Sequence, residues 1–296
     1  MHTHTRLLFL VAVFFSLATP VFPGAAPALA QAVTQLSFAA PRNAPYPGGV
    51  AIVRVNKPDG PQVRDVVYLG KRVITVNADE GSFAIVGIPL DAKPGPQRVQ
   101  VGAGKDGVEI VYETSFDVDA KTYPTQHLKI DPRFITPSPA QQKRIDEESP
   151  RIQAAQDYWS DTRPDSFVLD VPTAGHLSAT FGQGRVLNGV PSVPHMGVDV
   201  AVGPGTPVRA SAKGRVINTD NYFYAGNSVF VDHGQGFITL YIHLSRIDVK
   251  EGDEVARGAV LGLSGATGRV TGPHLHWGVL LNGAYVAPDL FMKGAR

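Results

Sequence analysis

At 296 residues the chain is long enough for two domains with their own cores, and a net charge of +1 with 18% charged residues gives no electrostatic case for a nucleic-acid partner. It contains no cysteine, which excludes disulfides, thiolate metal sites, a cysteine nucleophile and a lipid anchor on an N-terminal cysteine. Any metal must therefore be held by His, Asp or Glu.

Residues 1–30 read as a cleaved secretory signal peptide. Arg6 supplies a positive start, Leu7 to Leu17 is almost wholly apolar, and Ala28-Leu29-Ala30 is an A-x-A cleavage site before Gln31. Pro20, Pro23 and Pro27 break the run, whose apolar core is short for a span of about 20 residues. No later stretch is long and apolar enough to cross a membrane. The expectation is a periplasmic or secreted protein without stable membrane insertion after cleavage.

Residues 34–119 read as an immunoglobulin-like β-sandwich. Strand-like runs occur at Val50–Val55, Val66–Leu69, Arg72–Val76, Phe83–Val86, Gln97–Val101 and Glu109–Tyr112. Turn signals separate them at Pro58-Asp59-Gly60, Lys93-Pro94-Gly95 and Lys105-Asp106-Gly107. No catalytic residue types cluster here, so a packing module, or one that binds a regulatory partner, is expected.

Residues 120–165 read as a linker with short helices. Ser138-Pro139-Ala140-Gln141 fits a capping box with proline at the first helical position. Ile145, Ile152, Ala155 and Trp159 make an apolar stripe that Pro150 interrupts, which predicts two helices split near Ser149.

Residues 166–296 are rich in glycine and β-branched residues and show no long helical period, as an antiparallel β-sheet domain would. Strands are expected at Gly214–Asn218, Ser228–Asp232 and Phe237–Leu244. Asn188-Gly189 is a hairpin-type turn, and glycines at 252, 258, 262, 265 and 268 punctuate tight turns. The chain is mainly β overall. Six of its 9 histidines fall in this part: His176, His195, His233, His243, His274 and His276.

His274 and His276 stand two apart in a run that reads as a strand, so both point to one face, with Leu275 and Trp277 facing the other way. His195 and Asp199 are spaced i, i+4. Pro194, Gly197 and two valines argue against a helix, and on a straight strand the pair would lie about 13 Å apart. A bend at Met196-Gly197 is therefore predicted, with His195 on a loop and Asp199 on a strand. His195, Asp199 and one histidine of the 274/276 pair make an N, N, O set, the composition of a catalytic zinc site with one position left for water. His243, in Tyr241-Ile242-His243-Leu244, adds a further strand histidine.

Together these motifs resemble those of the M23, lysostaphin- and LytM-type, zinc peptidases. The resemblance rests on His195-x-x-x-Asp199, Tyr241-Ile242-His243-Leu244-Ser245, Lys250-Glu251-Gly252-Asp253-Glu254-Val255, Gly262-x-x-Gly265-x-Thr267-Gly268 and His274-x-His276, in that order over roughly residues 175–291. It implies that His195, Asp199 and His276 bind Zn²⁺ and that His243 and His274 are the catalytic histidines. The implied substrate is the peptide of bacterial peptidoglycan, in cross-links or stems. Arg185 and Asn188, just upstream of the first ligand, are candidates for lining the cleft.

Two other readings compete. Glucose-type sugar-phosphotransfer carriers are similar in a His-x-Gly-x-Asp run and a Glu-Gly-Asp-x-Val hairpin, but their phosphate donors are cytosolic and the leader peptide points elsewhere. A non-catalytic wall-binding activator of another peptidoglycan hydrolase would not need the intact His243 and His274 pair.

Overall fold

The alternating β-branched and polar residues of the first third form seven strands: β1 (Val50–Asn56), β2 (Gln62–Tyr68), β3 (Lys71–Arg72), β4 (Ile74–Ala78), β5 (Gly81–Gly87), β6 (Gly95–Lys105) and β7 (Val108–Val118). In this computed structural model, residues 38–293 are described, apart from residue 106. The signal-peptide segment, 1–30, lies outside them. The strands form two sheets, ordered β1-β5-β4 and β3-β2-β6-β7. Val53, Val55, Tyr68, Ala84, Val86, Val99 and Val101 fill the space between them, so the arrangement is a sandwich. Arg72–Val76, one strand by its composition, is two. The chain leaves one sheet at Val73 and enters the other at Ile74.

The sheet β1-β5-β4 is covered on both faces. Along β5, Ala84 and Val86 face the sandwich interior, while Ile85 joins Val50 and Ile74 in a core shared with Phe167, Phe237, Trp277 and Leu281. Period-two alternation thus serves two cores at once. Burying side chains of this size contributes about 1.5–3 kcal/mol each.

The connecting segment holds β8 (Thr125–Leu128), a single 3-10 turn at Pro132–Phe134 and one α-helix, α1 (Pro139–Gln156). The Ser138/Gln141 capping box forms as expected. The predicted break near Ser149 does not occur: α1 runs through Pro150. Proline removes the hydrogen bond to the Asp146 carbonyl, but Asp146 is exposed and water can satisfy it. Contacts on both sides of Pro150 hold the helix to the sheet. Glu148 accepts from the Phe223 amide at 2.7 Å, Arg151 pairs with Asp220 and Glu251 at 2.6 and 2.7 Å, and Ala155 packs with Tyr222, Phe230, Ile238 and Leu280.

The remaining chain forms β9 (His176–Ala179), β10 (Gly184–Leu187), β11 (Val190–Ser192), β12 (Val198–Ala201), β13 (Pro207–Arg209), β14 (Gly214–Tyr222), β15 (Gly226–Gly234), β16 (Phe237–Leu244), β17 (Arg246–Ile247), β18 (Glu254–Val255), β19 (Val260–Leu263), β20 (Leu275–Leu281) and β21 (Ala284–Val286). The main sheet has the order β18-β14-β15-β16-β20-β12-β9, with every neighbouring pair antiparallel. One face carries Tyr241, Trp277, Val279 and Val200 into the main core. The opposite face carries Ile238, Leu240 and Leu280 under α1. A separate small sheet, β11-β10-β8, borrows β8 from the connecting segment in parallel pairing with β10. Among the described residues no helix is long and apolar enough to cross a membrane.

Candidate metal centre and groove

The site is assembled where β12 meets β20. Asp199 and His276 are register partners, so their side chains leave the sheet on the same side. His195 reaches them from the loop before β12, with the chain bending at Gly197 as the composition predicts. A Cβ on Gly197 would lie 2.5 Å from the Trp277 carbonyl oxygen and 2.6 Å from His276 Nε2. Only glycine allows this loop to pass so close.

His195 is fully buried, and its Nδ1–H donates to the Thr180 carbonyl at 2.9 Å, which leaves Nε2 as a bare lone pair. That Nε2, Asp199 Oδ1 and His276 Nδ1 lie 2.9 Å from one another on all three edges. The only proton on a neutral His195 is already committed, so a neutral His276 can bridge at most one of these contacts. Converging lone pairs and a carboxylate oxygen are a cation's coordination set, and the three residues can hold a metal ion. The 2.9 Å edges are close to the ~3.3 Å ligand spacing of a tetrahedral ion bound at ~2.0–2.1 Å.

Electrostatics keep the set ready for a cation. Burial opposes ionisation of Asp199, yet the contacts with His195 and His276 hold its carboxyl well below the usual carboxylate range. Burial pushes His276 down to about 4, against the pull of Asp199. A carboxylate and a neutral His276 imidazole are protonation states that suit a metal ligand.

His274 and His243 stand beside this triangle. His274 bridges to Gly265 just before β20. Its Nδ1–H donates to the Gly272 carbonyl at 2.8 Å, and its Nε2 lies 3.7 Å from Asp199 Oδ1. His243 donates Nδ1–H to the Thr267 carbonyl at 2.8 Å, and its ring centroid is 4.9 Å from that of His274 and 6.2 Å from that of His276. In both, the backbone contact fixes the tautomer and leaves Nε2 free. Burial, and then the neighbouring histidines, push His243 down to about 3, so it is neutral.

How His243 gets there is not a matter of simple alternation. A regular strand would put it on the same face as Tyr241, in the main core. Between the pairs Val229↔Tyr241 and Asn227↔Leu244, however, β16 carries one extra residue, a bulge. His243 adopts a left-handed backbone there (φ 65°), and its amide bonds to the Ala225 carbonyl at 2.9 Å. That conformation costs roughly 1–2 kcal/mol for a non-glycine residue and returns the imidazole to the His276 face.

A groove opens in front of Asp199, His243, His274 and His276, with Gln126 and Leu128 of β8 on one wall and residues 270–273 on another. Arg185 lines it, with Nη2 3.3 Å from Asp199 Oδ2. Asn188 is not brought to the groove. Its side chain receives the Ile130 amide at 3.0 Å and donates to the Ile130 carbonyl at 2.9 Å, tying the β10–β11 turn to the connecting segment. Arg269 also lines the groove and was not anticipated. Its only signal in the sequence is its place five residues before His274 in a glycine-rich turn.

The chain matches the model of Peptidase family M23 over residues 193–288 and that of the Peptidase family M23 N-terminal domain over residues 43–121. A crystal structure of a Pseudomonas aeruginosa chain assigned to peptidase M23 is 43% identical, with the comparison covering 86% of this chain and 97% of that one at a TM-score of 0.71. This chain belongs to peptidase family M23. Among curated relatives, peptidoglycan DD-endopeptidase ShyA of Vibrio cholerae serotype O1 is 53% identical over 90 residues, which are 30% of this chain and 21% of that protein. DD-carboxypeptidase/endopeptidase Mpg of Neisseria meningitidis serogroup B is 47% identical over 94 residues, 32% and 22% of the respective lengths. The matches thus span about a fifth of these curated relatives.

Proposed function

We propose that the chain is a zinc-dependent endopeptidase that hydrolyses peptide bonds of bacterial peptidoglycan, in the periplasm or outside the cell. The observation that carries this reading is the convergence of His195 Nε2, Asp199 Oδ1 and His276 Nδ1 at 2.9 Å beside two histidines with free Nε2 atoms. The wall-peptide substrate is suggested by the names of the Vibrio and Neisseria relatives.

In this reading His195, Asp199 and His276 hold Zn²⁺, which supplies a Lewis acid for the scissile carbonyl and a water with a pKa of about 7. His243 and His274 do the proton work. A neutral Nε2 accepts the proton released by the attacking water and passes it to the departing amine nitrogen. An imidazole protonated at Nε2 donates to the oxyanion that develops on the carbonyl. Each Nδ1–H stays anchored to a backbone carbonyl, so ring orientation is kept through the cycle. Arg185 braces the Asp199 oxygen that faces away from the triangle.

The proposed division of the chain is a β-module at 34–119, a connecting segment at 120–165 and a peptidase domain at 166–296. The β-module is the proposed seat of a regulatory partner.

The test is digestion of purified sacculi by the zinc-loaded full chain. New free amines without new reducing sugar ends are expected. Glycoside hydrolysis needs two carboxylic acids flanking the bond, and Asp199 is the only carboxylate among the residues lining the groove. Reducing ends without amines would overturn the assignment. No cleavage, combined with stimulation of a second wall hydrolase, would make the chain an activator instead.

A further inference from the structure

The groove is short of negative charge. Arg185 and Arg269 both line it, together with a single carboxylate, Asp199. Asp199 is already engaged by His195 and His276 through Oδ1 and by Arg185 through Oδ2. Arg185 has little exposed side chain, and its Nε is buried with no hydrogen-bond partner. Arg269 has no carboxylate partner among the described residues, and its guanidinium sits 5.0 Å from the centroid of the Tyr224 ring. Burial lowers the pKa of Arg269, and the charge of Arg185 lowers it further. Both cations line one groove in a partly desolvated place. A metal ion in the triangle would add to this excess.

Like charges that are partly withdrawn from water are costly unless something neutralises them. Among the described residues lining the groove, no second carboxylate neutralises the pair. Guanidinium forks match carboxylates two bonds at a time, and do so most strongly where water is thin. Because Arg185 touches Asp199, its unpartnered Nε lies beside the candidate metal triangle, and Arg269 lines the same groove.

We propose that Arg185 and Arg269 form a carboxylate-reading subsite that takes an anionic group of the peptide substrate next to the scissile bond, with Arg269 as the principal contact. This rests on the peptidase reading above and narrows it to substrates with a carboxylate near the cut. The carboxylate is either the free terminus of the peptide or an acidic side chain. In the first case the enzyme trims chain ends as well as cutting between chains. In the second it is restricted to internal bonds beside an acidic residue.

The test uses the full chain and three synthetic fluorescent wall peptides: one with all carboxylates free, one amidated at the terminus and one amidated at the side chain. Binding is read by anisotropy on the zinc-loaded His274→Ala chain, and turnover as kcat/KM on the parent. One of the two amidations is expected to weaken binding roughly 10- to 100-fold, as loss of a charge-assisted pair does. The amidation that does so identifies the source. Arg269→Gln in the same background should weaken binding of the free-acid peptide by a similar factor and make it indifferent to that amidation, with Arg269→Lys between the two.

If both amidations change binding by less than about twofold, or if Arg269→Gln keeps the full amidation effect, the subsite is wrong. The amidation comparison needs no arginine variant to fold. Cleavage without carboxylate preference would sink the subsite and leave the peptidase reading standing. Carboxylate-dependent binding through Arg269, with no cleavage by the parent, would do the reverse.

Discussion

Asp199 and His276 face each other as register partners on β12 and β20, and Oδ1 of one lies 2.9 Å from Nδ1 of the other. Two of the three candidate ligands are thus held by the hydrogen-bond ladder of the main sheet. The third, His195, is held by its Thr180 contact and by the clearance at Gly197. A site with two ligands on neighbouring strands and one on a braced loop is positioned before any ion arrives.

Gly197→Ala should loosen that site. The added Cβ would meet the Trp277 carbonyl oxygen at 2.5 Å and His276 Nε2 at 2.6 Å, and the first is backbone of a central strand that cannot yield cheaply. Overpacking of this kind costs about 1–3 kcal/mol. Calorimetry should show a lower Tm, and elemental analysis should show reduced zinc retention after dialysis. A variant with parental Tm and zinc content would mean that the loop has another route past His276.

Asn282→Ala should weaken the junction between the sandwich and the main sheet. The Asn282 side chain accepts from the Gly87 amide at 2.7 Å and donates to the Gly87 carbonyl at 3.0 Å, in a buried setting. Removing it strands both backbone groups, at about 1–3 kcal/mol each. Urea unfolding should register the loss, while zinc content stays parental because the metal triangle is untouched.

His233 should make stability depend on pH. It is buried, donates Nδ1–H to the Lys213 carbonyl at 2.8 Å and keeps Nε2 at 2.8 Å from the Thr239 hydroxyl. Burial pushes it down to about 4, whereas an unfolded chain titrates it near ~6.5. Between those values the unfolded state binds a proton that the folded state refuses. Stability from this residue is therefore complete above ~6.5 and falls as pH drops towards about 4, by on the order of 3 kcal/mol. In denaturant melts at a series of pH values, His233→Gln should show a flatter profile than the parent over that window. Parallel profiles would contradict this.

The strands were legible because burial on one face leaves a period-two signature. β16 matches its predicted bounds, and the loop-then-strand placement of His195 and Asp199 follows from Gly197. What was not legible depends on distant partners. Pro150 reads as a break because the anchors of α1, such as Asp220 and Glu251, are far along the chain. β8 pairs in parallel with β10 across about sixty residues that show no sign of it. His243 reads as a simple strand histidine, yet a bulge and a left-handed backbone decide which face it reaches. Arg269 looks like a turn residue until the fold half-buries it in the groove that Arg185 also lines.

Metal removal should be visible in stability as well as in activity. A ligand that binds only the folded state stabilises it by RT ln(1 + [L]/Kd), about 4 kcal/mol at a thousandfold excess over Kd. Chelation should lower Tm, and zinc should restore it. The same treatment of Asp199→Ala should move Tm far less, because one of only three ligands is gone. An equal shift in parent and variant would place the stabilising ion elsewhere.

The central claim is that His195, Asp199 and His276 hold the ion while His243 and His274 turn the substrate over. The most direct measurement pairs zinc stoichiometry with turnover of a cross-linked muropeptide for the parent and the five single alanine variants. His195→Ala, Asp199→Ala and His276→Ala are predicted to lose zinc. His243→Ala and His274→Ala are predicted to keep most of it and to lose roughly 10²–10⁴ in rate, the worth of a positioned acid–base group. Near-parental turnover by both His243→Ala and His274→Ala at full zinc content would contradict the account.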